Sequence, residues 1–299
     1  LQAEEDNPLD ICKEDVSHYA PNLPLSFNIA AYANKSHTIQ QFVKLGVNLH
    51  KIEKKGLTEL ILGCDFERDV KKYIQFLHDV GLPPSEYGHF FTVNPLILKE
   101  DLDNLAVRIN YLESKKFLPN DIVRILSKNP KWISHSTKDI DHRLGFFQYQ
   151  FMLSGDEVRH VTIRMPKLIT NSLRHVEEIK FTVQEEMGFK KTEAKQLLLQ
   201  KPKIFSLSKI AVQQRLDYLL NSMKIPHEQI AVQSSVVVAR LEKIKQRHEF
   251  LVLLKKNQYD CQQPGYISLK RLVEGTDSEF CEKVVGTSVQ IYNTYLKSL

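Results

Sequence analysis

A short motif recurs four times at an almost constant interval, and it restricts the fold more than any other feature of the chain. The motif is a proline, one further residue and two apolar residues, and successive copies lie 35 or 36 residues apart. The copies begin at Pro95, Pro130, Pro166 and Pro202. A fixed period of this size predicts a solenoid, in which each unit buries its apolar face against its neighbours.

The residues between the prolines repeat as well. Apolar residues stand ten and seventeen positions after each proline, as at Leu105 and Leu112 in the first copy. Degenerate copies without proline register on Leu60 and Ser234, and a weaker one begins near Ser26. About six units would therefore fill most of the 299 residues.

Start and stop signals within one unit indicate two helices joined by a short turn. Ser154 and Glu157 form a capping box that begins the first helix, and Pro166 ends it because proline removes a donor and restricts the residue before it. A longer helix then runs to Gly188, a residue suited to a helix C-terminus. With only 11 glycines for tight turns, the chain is predicted to be all-α.

Composition and periodicity divide the chain into three parts. Residues 1–25 carry six acidic residues and three prolines without sustained periodicity, which predicts a loosely ordered lead-in. Residues 26–256 are predicted to form the repeat solenoid. Residues 257–299, where the repeat decays, are predicted to form the capping segment that covers the last apolar face.

Positive charge is concentrated in the second half of the chain. Residues 1–150 carry 18 Lys and Arg against 20 Asp and Glu, whereas residues 187–256 carry 14 against 5. Such an asymmetry is typical of a protein that binds a polyanion, although a solvated surface would look the same.

Cysteine and leader patterns bear on the compartment. The four cysteines form no C-x-x-C and no set at zinc-ligand spacing, which indicates a reducing compartment. No apolar run reaches the ~20 residues of a membrane span. The start at Leu1 suggests a truncated or processed product whose targeting segment is missing.

Lysines directly after the repeat prolines are the first candidates for nucleic-acid contacts. They would form one row if the units stack in register, and evenly spaced cations suit the evenly spaced phosphates of a nucleic acid. The densest charge lies elsewhere in the basic half, and nucleic-acid contact is the favoured interpretation there too. The row lysines are Lys131, Lys167 and Lys203; the dense groups are Lys190 with Lys191, and Lys243, Lys245, Arg247 and Lys255.

Arginines recur thirteen positions after the proline, at the edge of the apolar stripe of the long helix. Such an arginine can lay its stem on the core and pair with a carboxylate of the next unit, so a structural role is favoured, although the same guanidinium could also meet a phosphate. These residues are Arg108, Arg143 and Arg215, with Arg247 in the degenerate copy. Arg215 and Arg247 are kept among the candidate contacts.

Signatures of catalysis and of metal binding were not found in the sequence. There is no G-x-x-x-x-G-K-[ST], no H-E-x-x-H and no G-x-S-x-G, so we expect neither an enzyme nor a cofactor or bound metal. His135 and His142 lack the spacing of paired ligands and are expected at the surface or in caps. Trp132 stands at an apolar repeat position, where core packing is favoured over base stacking.

The motifs taken together resemble the mitochondrial transcription termination factor (mTERF) family. The resemblance rests on Pro-Lys-Leu-Ile and Pro-Lys-Ile-Phe, on Gly-Phe-Lys-Lys-Thr-Glu-Ala at 188–194 and on Ser-Leu-Lys-Arg-Leu at 268–272, and it covers roughly residues 40–285. It implies a right-handed solenoid, a half-ring superhelix of ~35-residue three-helix repeats whose middle element is a short 3₁₀ or α turn.

The resemblance also implies a function. It implies a protein of the mitochondrial matrix that binds nucleic acid along a basic path, with duplex mitochondrial DNA as first choice and ribosomal RNA as the alternative. Regulation of transcription, as a repressor, and ribosome assembly are the processes it suggests. We expect a monomer that works with transcription or ribosome-assembly proteins.

A helical-repeat scaffold for a protein partner is the competing hypothesis. The acidic residues Glu177, Glu178 and Asp217 could serve such a partner on an extended surface.

Overall fold

The computed structural model describes residues 28–33 and 35–299, and the regular elements of this part of the chain are all helices, without a strand. The predicted lead-in over residues 1–25 lies outside the described residues. Six complete units follow one another, each made of a first helix, a short helix and a long helix. The all-α repeat solenoid predicted from the period is confirmed.

In the four proline-marked units, a single residue separates the end of the first helix from the proline, as the motif predicts. In the third complete unit this helix begins at Pro119, where a missing N–H costs nothing, and in the fourth it begins with the predicted Ser154 and Glu157 capping box. The first helices are Leu49–Lys54, Tyr87–Val93 (preceded by a 3₁₀ turn at Pro84–Glu86), Pro119–Lys128, Gly155–Arg164, Lys191–Gln200 and His227–Val232.

The short helices are single turns, mostly 3₁₀, that carry the repeat motif. The proline and the apolar pair point inward: Pro166, Leu168 and Ile169 are all buried. The second residue of the motif is left on the outside. The short helices are Thr58–Leu62, Pro95–Lys99, Pro130–Ser134, Pro166–Thr170, Pro202–Ser206 and Ser234–Val238.

In the four proline-marked units, the long helix begins with a capping side chain six residues after the proline. Ser136, Ser172 and Ser208 each lie six residues after the repeat proline and accept a hydrogen bond from the backbone N–H three residues on. The long helices are Phe66–Val70 with Lys71–Asp79, Leu102–Ser114, Thr137–Phe151, Leu173–Phe181 with Thr182–Glu186, Lys209–Asp217 with Tyr218–Ser222, and Leu241–Leu253.

Elements of the same kind pack against each other from unit to unit. The first helix Lys191–Gln200 contacts both Gly155–Arg164 and His227–Val232, and the short helices from Pro130–Ser134 to Ser234–Val238 contact one another in sequence. The stack therefore has a layer of first helices and a layer of long helices, with the short helices along one edge. Trp132 is buried between the layers, which confirms its predicted core role.

Each long helix ends in the same left-handed turn. The first or second residue after the helix has a positive φ. In five of the six units the residue that follows it is apolar and buried, as with Gly188 and Phe189 or Lys224 and Ile225, whereas Lys255 is followed by the exposed Lys256. The backbone N–H of Ile225 bonds to Leu219 O, which closes the helix and draws the next side chain into the core. These turns form the edge opposite the short helices.

Basic side chains on three of the first helices donate hydrogen bonds to the end of the long helix two units earlier. Arg159 Nη1 donates to Lys115 O at 3.2 Å, and Lys195 Nζ donates to Met152 O at 3.1 Å. His227 Nε2 lies 2.8 Å from Met187 O, so this nitrogen carries the proton. All three side chains lie seven residues before the start of their short helix and donate at the negative end of a helix dipole.

Partial units close both ends of the described chain. At the start, the segments Ile29–Tyr32 and His37–Lys44 stand where a short and a long helix would. At the end, the helix Leu269–Val273 packs beside Ser234–Val238 as a seventh short helix, followed by Asp277–Phe280 with Cys281–Val285 and a final helix Val289–Lys297. A loop takes the place of the first helix in this unit. Among the described helices, none is both long and apolar enough to cross a membrane.

Candidate nucleic-acid interface

The three lysines that follow the repeat prolines lie on the outside of their short helices. Lys131, Lys167 and Lys203 are exposed, and within the described residues none of their ammonium groups takes part in an ion pair or hydrogen bond. The buried proline on one side and the buried apolar pair on the other fix this orientation. Their charge is therefore free for an external anion.

These lysines fall into one row because their short helices pack directly against each other. Pro166–Thr170 contacts both Pro130–Ser134 and Pro202–Ser206. Neighbouring helices pack about 8–10 Å apart, so the cations repeat at roughly that spacing. We call Lys131, Lys167 and Lys203 the short-helix row.

Two further lysines belong near this row and were missed by the sequence reasoning. Lys270 is the second residue of the seventh short helix and is exposed, with Glu274 3.6 Å away. Lys55 Nζ donates to Thr92 O at 2.8 Å, and its pKa is lowered by burial and by the charge of Lys131. No proline marks the first case, and only the fold brings the second near the row.

The side chains at position thirteen of the long helices tie successive units together. Arg108 Nη1 donates to Ile133 O, and Arg143 Nη1 donates to Asn171 O at 2.8 Å. Arg215 Nε donates to Ala239 O at 2.6 Å, so all three reach the short helix of the next unit or its end. Tyr73 does the same through its hydroxyl, which donates to Glu100 O at 2.7 Å. We call this set the seam.

The favoured structural role of these arginines fits the seam, but the expected partner was wrong. Of these four arginines, only Arg247 pairs in the described structure with a carboxylate of the following unit, that of Asp277 at 2.7 Å. Arg108 pairs with Glu100 and Arg143 with Asp139, which both precede it in the chain, and the partners in the next unit are backbone carbonyls. Short helices leave carbonyls unsatisfied, and guanidinium groups supply the missing donors.

Arg247 is the residue for which the contact prediction has to be corrected. Its side chain is 0% exposed, and it donates to Leu272 O at 3.0 Å and to Glu274 O at 2.8 Å. The guanidinium also lies 4.5 Å over the ring of Phe280. A group committed in this way is not available to a phosphate, so we leave it out of the interface. Arg215 is half-buried and its donors are also used inside the fold.

The remaining predicted contacts do not lie together. Lys190 and Lys191 stand at the N-terminus of a first helix, and Lys255 follows the end of a long helix, which places all three at the turn edge. A ten-residue helix such as Lys191–Gln200 is about 15 Å long, so this edge lies on the order of 15 Å from the short-helix row. Sequence spacing alone does not show this separation, since Lys191 and Lys203 are close in the chain.

Lys243 and Lys245 lie near the start of the last long helix, at the short-helix edge. Lys243 Nζ donates to Gly275 O at 2.9 Å, and its pKa is lowered by burial and by the charge of Arg247. Lys245 is exposed, with its ammonium 5.5 Å from the centre of the Tyr218 ring. Only Lys245 of this pair therefore presents a free charge next to the row.

Polar residues on the long helices serve contacts within the stack. Asp141 accepts a hydrogen bond from Tyr111 at 2.7 Å and pairs with Lys115 at 2.6 Å, both from the preceding unit. Gln213 donates to Glu186 at 2.7 Å in the same manner. His135 lies 2.7 Å from Asp139, whereas His142 is exposed. Over the described ranges no cluster of three or more metal-ligating side chains occurs, and Cys64, Cys261 and Cys281 are free thiols.

Comparison with known proteins places these observations in a family. The family model described as mTERF matches residues 7–281. Proteins named mitochondrial transcription termination factor 3 are similar to the chain: the one from Drosophila melanogaster is 43% identical over 91% of this chain and 77% of its own length. The one from Rattus norvegicus is 40% identical over 95% of this chain and 70% of its own length.

A second member of the group is more distant. Mitochondrial transcription termination factor 4 from Mus musculus is 21% identical over 77% of this chain and 66% of its own length. Within the family, the motifs of the chain are most similar to those of the third vertebrate member, and the matches to factor 3 confirm this resemblance. A family match over most of the chain, together with the solenoid of proline-marked units, shows that the chain belongs to the mTERF family.

Proposed function

We propose that this protein binds nucleic acid through the short-helix row and regulates mitochondrial transcription without catalysing a reaction. The observation that carries the proposal is the row itself: Lys131, Lys167 and Lys203 are exposed, unpaired within the described residues, and carried by short helices in direct contact. Most contacts between proteins and nucleic acids go to phosphates, and these contacts position the protein on the duplex. Evenly spaced cations on a rigid stack suit that task.

Duplex DNA in the mitochondrial matrix is the ligand we favour, and a monomeric repressor is the form of regulation. The names of the relatives, which refer to mitochondrial transcription termination, support this choice. Phosphate contacts carry no sequence information, so the row supplies affinity and register while base contacts would supply specificity.

Salt dependence of binding tests the proposal. Replacing Lys167 and Lys203 by Ala should lower the slope of log affinity against log salt by about two, since each lost phosphate contact removes about one. The matched control replaces the exposed Lys72 and Lys297, which lie outside the row, and should leave the slope unchanged. Titrations of a labelled duplex between about 50 and 200 mM salt measure both variants. An affinity of the unmodified protein that does not change with salt would overturn the proposal.

Structured ribosomal RNA, and with it a role in ribosome assembly, is the second candidate ligand. A surface that contacts phosphates by shape can accept an A-form helix as well as a B-form one. Competition between a DNA duplex and an RNA hairpin for the same labelled probe decides between them. The scaffold hypothesis stays a prediction, since Glu177, Glu178 and Asp217 are exposed; the positive charges of the row favour a nucleic acid over a protein partner at that edge.

A further inference from the structure

Lysines occupy three of the left-handed turns at the ends of the long helices. Within the described residues, four non-glycine residues have a positive φ: Lys116 at 66°, Met152 at 52°, Lys224 at 57° and Lys255 at 55°. Gly46, Gly81, Gly188 and Gly286 fill the same position in the other units. Glycine thus recurs at this place, and four units carry another residue, which is a lysine in three of them and Met152 in the fourth.

Glycine is the residue that these turns favour. The left-handed region brings Cβ close to the following carbonyl oxygen in every residue except glycine. Among other residues, Asn, Asp and His are the ones enriched there, and lysine is not. A lysine in this conformation therefore weakens the fold locally, and three such lysines at equivalent turns call for a benefit outside the fold.

The ammonium groups of these three lysines are free. Lys116, Lys224 and Lys255 are exposed, and within the described part of the chain their side chains have no hydrogen bond or ion pair. The adjacent lysines behave differently, since Lys115 pairs with Asp141 and Lys256 Nζ donates to Val285 O at 2.5 Å. In two of the turns, then, one lysine serves the fold and the strained one is left for solvent or a ligand.

We propose that Lys116, Lys224 and Lys255 form a second row of phosphate contacts for nucleic acid, at the edge opposite the short-helix row. This turn row deepens the function proposed above and rests on it. Lys190 and Lys191 stand at the intervening turn whose left-handed residue is Gly188, so positive charge continues there. The two rows lie on the order of 15 Å apart, and the major groove of a duplex is about 12 Å wide. A duplex across the stack can therefore reach both.

Replacing the three lysines by glycine removes their charge and the backbone strain together. If the turn row contacts nucleic acid, stability should rise while the salt dependence of binding falls. The variant K116G/K224G/K255G should unfold at a higher urea concentration than the unmodified protein. Its salt slope for a duplex of about two helical turns should fall by two to three, at about 0.9 for each lost contact. Met152→Gly is the matched control, because it relieves the same strain without removing a charge. It should raise the unfolding midpoint and leave the slope unchanged.

The outcomes separate this inference from the proposed function. A glycine variant with a higher midpoint and an unchanged slope overturns the turn row. If the short-helix variant still loses about two units of slope in that case, the proposed function stands without it. Arginine at the same three positions should restore the slope and not the midpoint. If the glycine variant instead loses binding to anionic phosphatidylserine vesicles while its duplex slope is unchanged, the row serves a membrane surface and the inference is wrong.

Discussion

The seam and the short-helix row carry positive charge at the same period and use it in opposite ways. At the seam, Arg247 is fully buried and its guanidinium is bonded to carbonyls and a carboxylate. On the row, Lys203 is exposed and its ammonium is free within the described residues. Arginine suits the first place because its planar group offers five donors, and lysine suits the second because it is a compact point charge on a flexible stem.

This contrast shows why basic residues cannot be counted as one class in a repeat protein. The window of residues 187–256 is strongly basic, yet Lys195, Lys209 and Arg215 are engaged within the fold. The charge that remains for a ligand is smaller and lies along two edges. Stability and binding measurements on the two sets of cations should therefore give opposite results.

The largest expected effect is that of Arg247→Ala on stability. Removing the guanidinium leaves Leu272 O and Glu274 O without their donor and Asp277 without its partner. Loss of one partner from a buried ionic network typically costs about 3–5 kcal/mol of unfolding free energy. Urea denaturation followed by circular dichroism measures this loss. Arg240→Ala, an exposed arginine in the same unit, is the control, and equal stability of the two variants would contradict the buried role.

Asn94→Ala should give the second largest loss of stability. Asn94 is 3% exposed, and its amide nitrogen donates to Pro130 O at 3.0 Å and to Ser134 Oγ at 2.9 Å in the next unit. Leaving a buried acceptor unpaired costs about 1–3 kcal/mol. The exposed Asn104→Ala should change the urea midpoint little. A midpoint shift in Asn94→Ala no larger than in this control would show that the bonds between units add no stability.

Comparing Arg215→Ala with Lys203→Ala is the most direct test of the contrast between the seam and the short-helix row. Arg215→Ala removes the donor to Ala239 O and the packed stem of the side chain. The variant should therefore lose about 1–2 kcal/mol of unfolding free energy. Lys203→Ala should lose less than about 0.5 kcal/mol, as exposed substitutions usually do. For duplex binding the order reverses, with a reduced salt slope only in Lys203→Ala. A slope reduced equally in both variants, at unchanged stability, would place Arg215 in the interface.

Much of this arrangement follows from the sequence, and what does not follow has a physical reason. The period, the capping box at Ser154 and the inward apolar pairs need only local rules. The carbonyl partners of the seam could not be found, because backbone acceptors have no sequence signature. Tyr73 was not predicted as part of the seam because its hydroxyl makes the contact that an arginine makes in other units.

The separation of the candidate contacts into two edges could have been found. A helix that begins at Lys191 and ends before Pro202 must carry its first residue to the far side of the stack. The left-handed conformation of the lysines could not be predicted from the sequence. Gly81 and Gly188 mark this position only in their own units, and Lys116 and Met152 occupy it in the units between them.

The smallest expected effect is a pH dependence of stability that comes from a histidine outside both the seam and the short-helix row. His248 is 8% exposed and its Nδ1 lies 2.8 Å from the Tyr259 hydroxyl; burial lowers the pKa of the imidazole below its usual 6.5. The unfolded chain then binds the proton more readily, so stability is full above about pH 6.5 and falls as the pH drops toward the lowered pKa. His248→Gln should reduce the loss of urea midpoint between about pH 7.5 and 5.5. The same loss in both proteins would show that His248 does not contribute.

The side chains that close a long helix two units away set a minimum size for independent folding. Because Arg159, Lys195 and His227 reach past the adjacent unit, the second, third and fourth units have all their partners only when two more units follow. Fraying from an end should therefore proceed in blocks larger than one repeat, and excising a single unit would misalign the side chains on one side of the cut with the carbonyls on the other. Loss or gain of a single repeat would therefore break these bonds. The number of repeats is constrained by them in addition to the contacts between adjacent units.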